Sequence, residues 1–175
     1  MIYLLRHTTP DIEPGICYGF SDIGLLESSC EAELTAAVER VKELSFSEIY
    51  SSPLKRCRLL AHRVAQGGEI TFDDRAKEMN FGEWEGVTWD DIFLTPQGKA
   101  WFDNFTSTPT PSGESFEDLM VRVRSLFTDI ESIEGDVLVV THSGVIRAAM
   151  VVLGRATSGE VFDMQIEYGE LIACG

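Results

Sequence analysis

Two short apolar runs each end abruptly in a histidine-bearing polar turn, and this repeated arrangement constrains the fold more than anything else in the chain. Ile2 to Leu5 stops at Arg6-His7-Thr8-Thr9-Pro10. Val137 to Val140 stops at Thr141-His142-Ser143-Gly144, which leads straight into an apolar helix, Val145 to Leu153, closed by Gly154. Apolar runs without alternation suit strands buried on both faces, and such strands need helices to cover them. The chain supplies those helices. Ser28 and Glu31 read as a capping box for a helix carrying Leu34, Val38, Val41 and Leu44, ending near Ser45. A strand around Ile49 and Tyr50 runs into Ser52, a cap, and Pro53, a first-turn residue, of a second helix that Gly67 and Gly68 end. Glu69 to Phe72 gives a third strand. Phe116, Leu119, Met120, Val123, Leu126, Phe127 and Ile130 form the most regular amphipathic helix. Strands alternating with helices predict an α/β fold, a three-layer α/β/α sandwich with a mostly parallel central sheet. In such sheets ligands bind beyond the carboxyl ends of the strands.

The remaining stretches read as loops on that frame. Residues 11 to 27 lack helical periodicity and hold Pro14, Gly15, Gly19 and Gly24; residues 77 to 86 are irregular, and a capped turn starts near Thr88. Residues 104 to 113 are a loop and not a linker, because neither side holds a complete core. The 175 residues are therefore expected to form one domain, 1–175.

Charge narrows the function. With 14 Lys plus Arg against 29 Asp plus Glu, the formal charge of -15 disfavours nucleic acid and anionic membrane surfaces. No segment reads as membrane-spanning, and a cytoplasmic location is the expectation. The acids are unevenly spread, however. None occurs in residues 1 to 10, between Glu48 and Glu69, or between Asp136 and Glu160, and these windows hold all three histidines with Arg6, Lys55, Arg56, Arg58, Arg63, Arg147 and Arg155. An acidic protein can still build a local anion site. Cys17, Cys30, Cys57 and Cys174 show no CxxC pair and no ligand-like spacing with histidine, so no metal is expected.

Four features occur in order at strand ends or loops: Leu5-Arg6-His7-Thr8, Ser51-Ser52-Pro53-Leu54-Lys55-Arg56, the segment Glu78 to Gly86, and Thr141-His142-Ser143-Gly144. At these residues the chain resembles the histidine phosphatase superfamily, the phosphoglycerate mutase-like enzymes, over nearly its whole length. Within it, Thr8 to Gly19 looks most like the α-ribazole phosphatases of cobalamin nucleotide-loop assembly. The resemblance implies a metal-independent phosphomonoesterase with no cofactor, acting on a small phosphorylated metabolite. A neutral His7 would attack phosphorus and form a phosphohistidine, while Arg6, Arg56 and His142 hold the phosphate oxygens. The two guanidinium groups also disfavour a cationic His7. Helices starting near Pro53 and Gly144 would turn positive ends toward the same anion.

A departing alkoxide needs a proton. The residues alone leave Glu78, Glu83 and Glu85 open as the donor; the resemblance implies Glu78. Thr8, Tyr18, Gly19 and Ser143 are the expected substrate contacts. Many family members have Gly where this chain has Thr8, so the backbone there is expected to be ordinary or the pocket slightly altered. Competing readings stand beside these. Lys55, Arg56, Arg58 and Arg63 can be a solvated helix face, His62 a surface residue, and Trp84, Trp89 and Trp101 core anchors. A broad-specificity sugar or nucleotide phosphatase, a mutase and a silent phosphate-binding module are the alternatives to a ribazole phosphatase. Oligomeric state is not encoded in any motif.

Overall fold

The computed structural model describes residues 1–174. Five strands form one sheet in the order β3-β2-β4-β1-β5: β1 is Ile2–Arg6, β2 Glu48–Ser51, β3 Thr71–Phe72, β4 Val137–Thr141 and β5 Leu171–Cys174. The first four pair in parallel, and β5 runs antiparallel along β1. The sheet is mostly parallel, as the alternation of strands and helices predicts.

Successive residues of the central strands serve opposite faces. Leu4, Val137 and Val139 pack with α5 (Phe116–Ile130) and α6 (Ser143–Val152), whereas Leu5, Leu138 and Val140 pack with α1 (Cys30–Val41) and α2 (Lys55–Ala65). Every residue of β4 is buried, so its apolar run reflects burial on both faces. The smaller helices α3 (Trp89–Leu94), α4 (Pro96–Asp103) and α7 (Glu160–Asp163) extend the face that carries α5 and α6. Among the described residues no helix is long and apolar enough to cross a membrane.

Several boundaries differ from the sequence reading. The first helix starts after Ser29, with no side-chain cap, and ends at Val41. The Ser28 capping box does not form. Glu33, one turn in, instead accepts the Thr9 amide at 2.7 Å and ties α1 to the loop after β1. The second helix starts at Lys55, after Leu54 as N-cap, so Pro53 lies outside it. Its terminus is Gln66 in the left-handed conformation, followed by Gly67. The capping box that does form joins Ser115 and Asp118 at the head of α5. The third strand is only Thr71–Phe72, and the structure adds β5 to the strands expected from the sequence.

Candidate active site

The carboxyl ends of β1, β4 and β2 bring three of the four motifs together. Arg6 pairs with Thr141, the His7 amide donates to the Thr141 carbonyl at 3.0 Å, and the Ser52 amide donates to Val140 at 3.0 Å. The rings of His7 and His142 therefore lie 5.1 Å apart between centroids. Both histidines are buried.

Hydrogen bonding sets the tautomer of each ring. His7 Nδ1 is 2.7 Å from the Thr8 carbonyl, which can only accept, so Nδ1 carries the proton and Nε2 the lone pair. Burial, the Arg56 guanidinium and then Arg6 hold His7 well below the ordinary imidazole range. It is a neutral imidazole with a free Nε2. His142 Nδ1 accepts from Arg56 Nε at 3.3 Å, so its Nε2 bears the proton and gives it to Ser52 Oγ at 2.8 Å. Burial and Arg56 also keep this ring neutral.

Arg56 is fully buried, while Lys55, Arg58, Arg63 and His62 on the same helix are exposed. The basic run divides: one residue points into the site and the rest form the solvated face. Arg56 donates from Nη1 to Ser21 at 2.8 Å and from Nη2 to Gly19 at 2.7 Å. With Nε on His142, three of five N–H groups are committed, and one remains on each Nη nitrogen. A fully enclosed arginine persists only when so partnered. Arg6 is held by the Ile166 carbonyl, and its Nε is buried without a partner among the described residues.

Geometry separates the three candidate carboxylates. Glu78, 8% exposed, accepts from the Met79 amide at 2.9 Å and the Gly144 amide at 3.2 Å, with Ser143 Oγ at 3.5 Å. It sits on the amino end of α6, beside His142. Glu83 only accepts from Ser112 on the surface. Glu85 ties down the loop that holds Arg56, accepting from the amides of Phe20 at 2.8 Å, Ser21 at 2.7 Å and Phe81 at 3.2 Å. Glycine leaves room for two of these approaches, against a side-chain end at Gly144 and against backbone at Gly19. A Cβ on Gly144 would lie 2.2 Å from Glu78 Oε1, and one on Gly19 would lie 1.9 Å from the Met79 carbonyl.

Some expected contacts play other parts. At the helix ends near Pro53 and Gly144 one amide each is already engaged: Lys55 N donates to Asp22 at 2.7 Å, and Gly144 N donates to Glu78. Thr8 has an ordinary backbone, since only Gln66 and Ser112 among the described non-glycine residues have positive φ. Its hydroxyl is enclosed and unpartnered, so Thr8 contributes through the carbonyl that fixes His7. Gly19 likewise contributes a carbonyl, to Arg56. Tyr18 and Ser143 are partly exposed at the site.

Three residues position the rest in a way that the sequence reading does not assign to them. Glu85 is one, and Arg122 on α5 is another: its guanidinium spans the carbonyls of Lys77 at 2.7 Å and Glu78 at 2.7 Å and pairs with Glu114. The third is Tyr168, whose ring lies 3.9 Å from Arg6 Cζ. Only their folded contacts reveal these parts, although Glu85 itself lies in the Glu78 to Gly86 segment.

Beside Glu78 opens a cavity of about 200 Å³, walled by Phe81, Trp101, Phe105, Phe116 and Phe162, with Arg147 and Gly144 on its rim. Trp84 and Trp101 anchor the core as expected, and Trp101 also lines this cavity. A larger cavity of about 440 Å³ lies at the opposite edge of the sheet, near Ile2, Ile130 and Val152, and holds no motif residue. Among the described residues no three His, Cys, Asp or Glu side chains cluster as metal ligands.

A mostly parallel α/β sheet with a neutral histidine and two arginines at its carboxyl edge suits an enzyme that handles phosphate, and the chain belongs to branch 1 of the histidine phosphatase superfamily, whose family model matches residues 2–174. It is a phosphatase of that superfamily. Among its relatives, a protein of Hydrogenobacter thermophilus provisionally named phosphoserine phosphatase 2 is 33% identical over 164 residues, covering 87% of this chain and 77% of that one. A bifunctional protein of Mycobacterium tuberculosis is 30% identical over 177 residues, covering 97% of this chain, which spans about half (48%) of that longer protein. The fold matches the α-ribazole phosphatase of Shigella flexneri with a TM-score of 0.87 at 20% identity, covering 97% of this chain and 87% of that one.

Proposed function

We propose that residues 1–175 act as one metal-independent phosphomonoesterase domain that works through phosphohistidine and hydrolyses α-ribazole 5'-phosphate to α-ribazole and phosphate. The phosphate dianion docks between Arg6 and Arg56, whose free N–H groups pair with its oxygens. His7 Nε2 attacks phosphorus in line. His142 joins by exchanging its bond to Ser52 for one to a phosphate oxygen. Glu78 gives a proton to the departing alcohol oxygen and then takes one from the water that cleaves the phosphohistidine. Charge on the transferring group is met by guanidinium and imidazole donors already in position.

The observation that carries the substrate assignment is the aromatic cavity sharing the Glu78 wall. The leaving alcohol must sit beside its proton donor, and here that space is lined by ring faces. An apolar cavity of about 150 Å³ can hold a benzene ring, so this one suits a somewhat larger flat apolar group such as a methylated bicyclic base. Burying about 100 Å² of such a base is worth about 2.5 kcal/mol, roughly 50- to 100-fold in kcat/KM. A second reading is favoured by Arg147, a partly buried guanidinium on the cavity rim, which suits the carboxylate of an alcohol such as serine.

A panel of specificity constants separates the readings: α-ribazole 5'-phosphate, phosphoserine, 3-phosphoglycerate, sugar phosphates and nucleotides. A tenfold or greater preference for the ribazole ester supports the first reading. Preference for phosphoserine moves the assignment to the carboxylate reading, and comparable values throughout leave a broad-specificity phosphatase. Accumulation of an isomeric phosphoester in place of phosphate would indicate a mutase.

A further inference from the structure

The segment between α7 and β5 belongs to no motif, yet it closes one side of the phosphate site. Its Ile166 carbonyl accepts from Arg6 Nη1, its Glu170 carbonyl from the Arg6 amide at 3.0 Å, and its Gly169 amide donates to the His7 carbonyl at 3.2 Å. These bonds set Tyr168 against the site. Its ring lies 3.9 Å from Arg6 Cζ and 5.6 Å from the His7 ring. Across the site, Arg56 Cζ lies 5.2 Å from the ring of Tyr18. Each guanidinium beside His7 thus has a tyrosine ring against it, and the two hydroxyls meet at 3.3 Å although the residues are 150 positions apart.

A purely structural role for these rings is poorly supported. Neither tyrosine belongs to the two clusters that form the core, and Tyr168 is 38% exposed. What they touch is the proposed phosphate machinery. Among the described residues Arg6 has one side-chain hydrogen bond, to Ile166, and an unpartnered Nε, so the Tyr168 face is the second contact that sets the plane of its fork. A ring face attracts the cation and keeps its N–H edges pointing outward.

We infer that Tyr168 is a positioning residue for Arg6, and that Tyr18 and Tyr168 form a closing pair whose hydroxyls bridge the mouth of the site and turn to the oxygens of a bound phosphate monoester. Burial raises the Tyr18 phenol well above its ordinary range, so it stays a donor at neutral pH. The inference rests on phosphate binding between Arg6, His7 and Arg56, and its test uses inorganic phosphate so that it does not depend on which alcohol leaves.

The experiment measures competitive inhibition by inorganic phosphate, with KM and kcat for p-nitrophenyl phosphate, in the wild type and in Tyr168→Phe, Tyr168→Leu and the double variant Tyr18→Phe/Tyr168→Phe. Tyr168→Leu removes stack and hydroxyl, and raises both the inhibition constant and KM about 30-fold with kcat within about threefold. Tyr168→Phe keeps the stack and loses no more than about fivefold; the double variant falls between the two. A Tyr168→Leu protein that keeps the wild-type affinity for phosphate overturns the inference, as does a Tyr168→Phe protein impaired as much as Tyr168→Leu. A wild type that neither binds phosphate nor hydrolyses the ester removes the functional reading and this inference with it. Thermal midpoints close to wild type identify properly folded variants.

Discussion

Replacing Gly144 by Ala tests general acid catalysis without touching the acid itself. A Cβ at this position would lie 2.2 Å from Glu78 Oε1 and 3.1 Å from its Cδ, so the carboxylate has to withdraw. Ordinary contact requires a shift of about 1 Å, and a misplacement of that size at a reacting centre costs about 100-fold in rate. The move also breaks the 3.2 Å bond from the Gly144 amide, the contact that aims Oε2. Fold stability should hold, because the atom displaced is the free end of a side chain and Ala is the better helix former by up to about 1 kcal/mol. The assay is the rate of phosphoenzyme formation from two esters, one with an alkyl leaving group and one with p-nitrophenol, which departs without protonation. The expected result is a fall of about 100-fold for the alkyl ester and less than about fivefold for the nitrophenyl ester. Equal falls would mean that the substitution damages phosphate binding, and an unchanged alkyl rate would remove Glu78 from the acid role.

Other expectations follow from the same contacts. Arg56→Met removes the largest charge effect holding His7 neutral, so the imidazole pKa rises and the acid limb of kcat/KM moves to higher pH; ring-proton NMR titration of His7 measures it, and an unmoved limb contradicts the electrostatic account. Protein stability should fall as pH drops below about 6.5: the unfolded chain then protonates His7 and His142, which the fold keeps neutral, at a cost of about 1.4 kcal/mol per pH unit for each. Urea midpoints at pH 7.5 and 5.5 test this, and a double variant with Asn at both positions should flatten the dependence. Glu85→Ala frees the amides of Phe20, Ser21 and Phe81, loosens the carbonyls that aim Arg56 and should raise KM about tenfold, whereas Glu83→Ala should leave kinetics unchanged.

The parts of the fold legible in the sequence are those whose pattern is local. The apolar run Val137 to Val140 and the amphipathic α5 have patterns set by their own burial, and both form, the strand running one residue further to Thr141. The edge strand Leu171–Cys174 has four residues, and only pairing with β1 distinguishes it from a loop. Ser28 satisfies a capping pattern with Glu31, but the helix starts one residue later, which puts Ala32 where a capping-box acid would stand, while Glu33 is drawn to Thr9 of the catalytic loop. Thr95-Pro96 opens α4 with a cap and a first-turn proline, a signal present in the sequence. At the site, His7, Arg56, Glu78 and His142 are readable because each belongs to a short motif. Arg122, Tyr168 and the anchoring part of Glu85 are not, because they act on backbone carbonyls, amides and a guanidinium that only the folded chain brings to them.

Chemical trapping of the intermediate tests the central claim, that phosphoryl passes to His7 Nε2. The protein is mixed with a ³²P-labelled phosphate monoester, quenched within the first turnover and mapped by peptide. The account predicts close to one acid-labile, base-stable phosphoryl group per chain on the peptide carrying His7, and none in His7→Asn. Turnover of the ester with no labelled protein, or with the label on another residue, would contradict it.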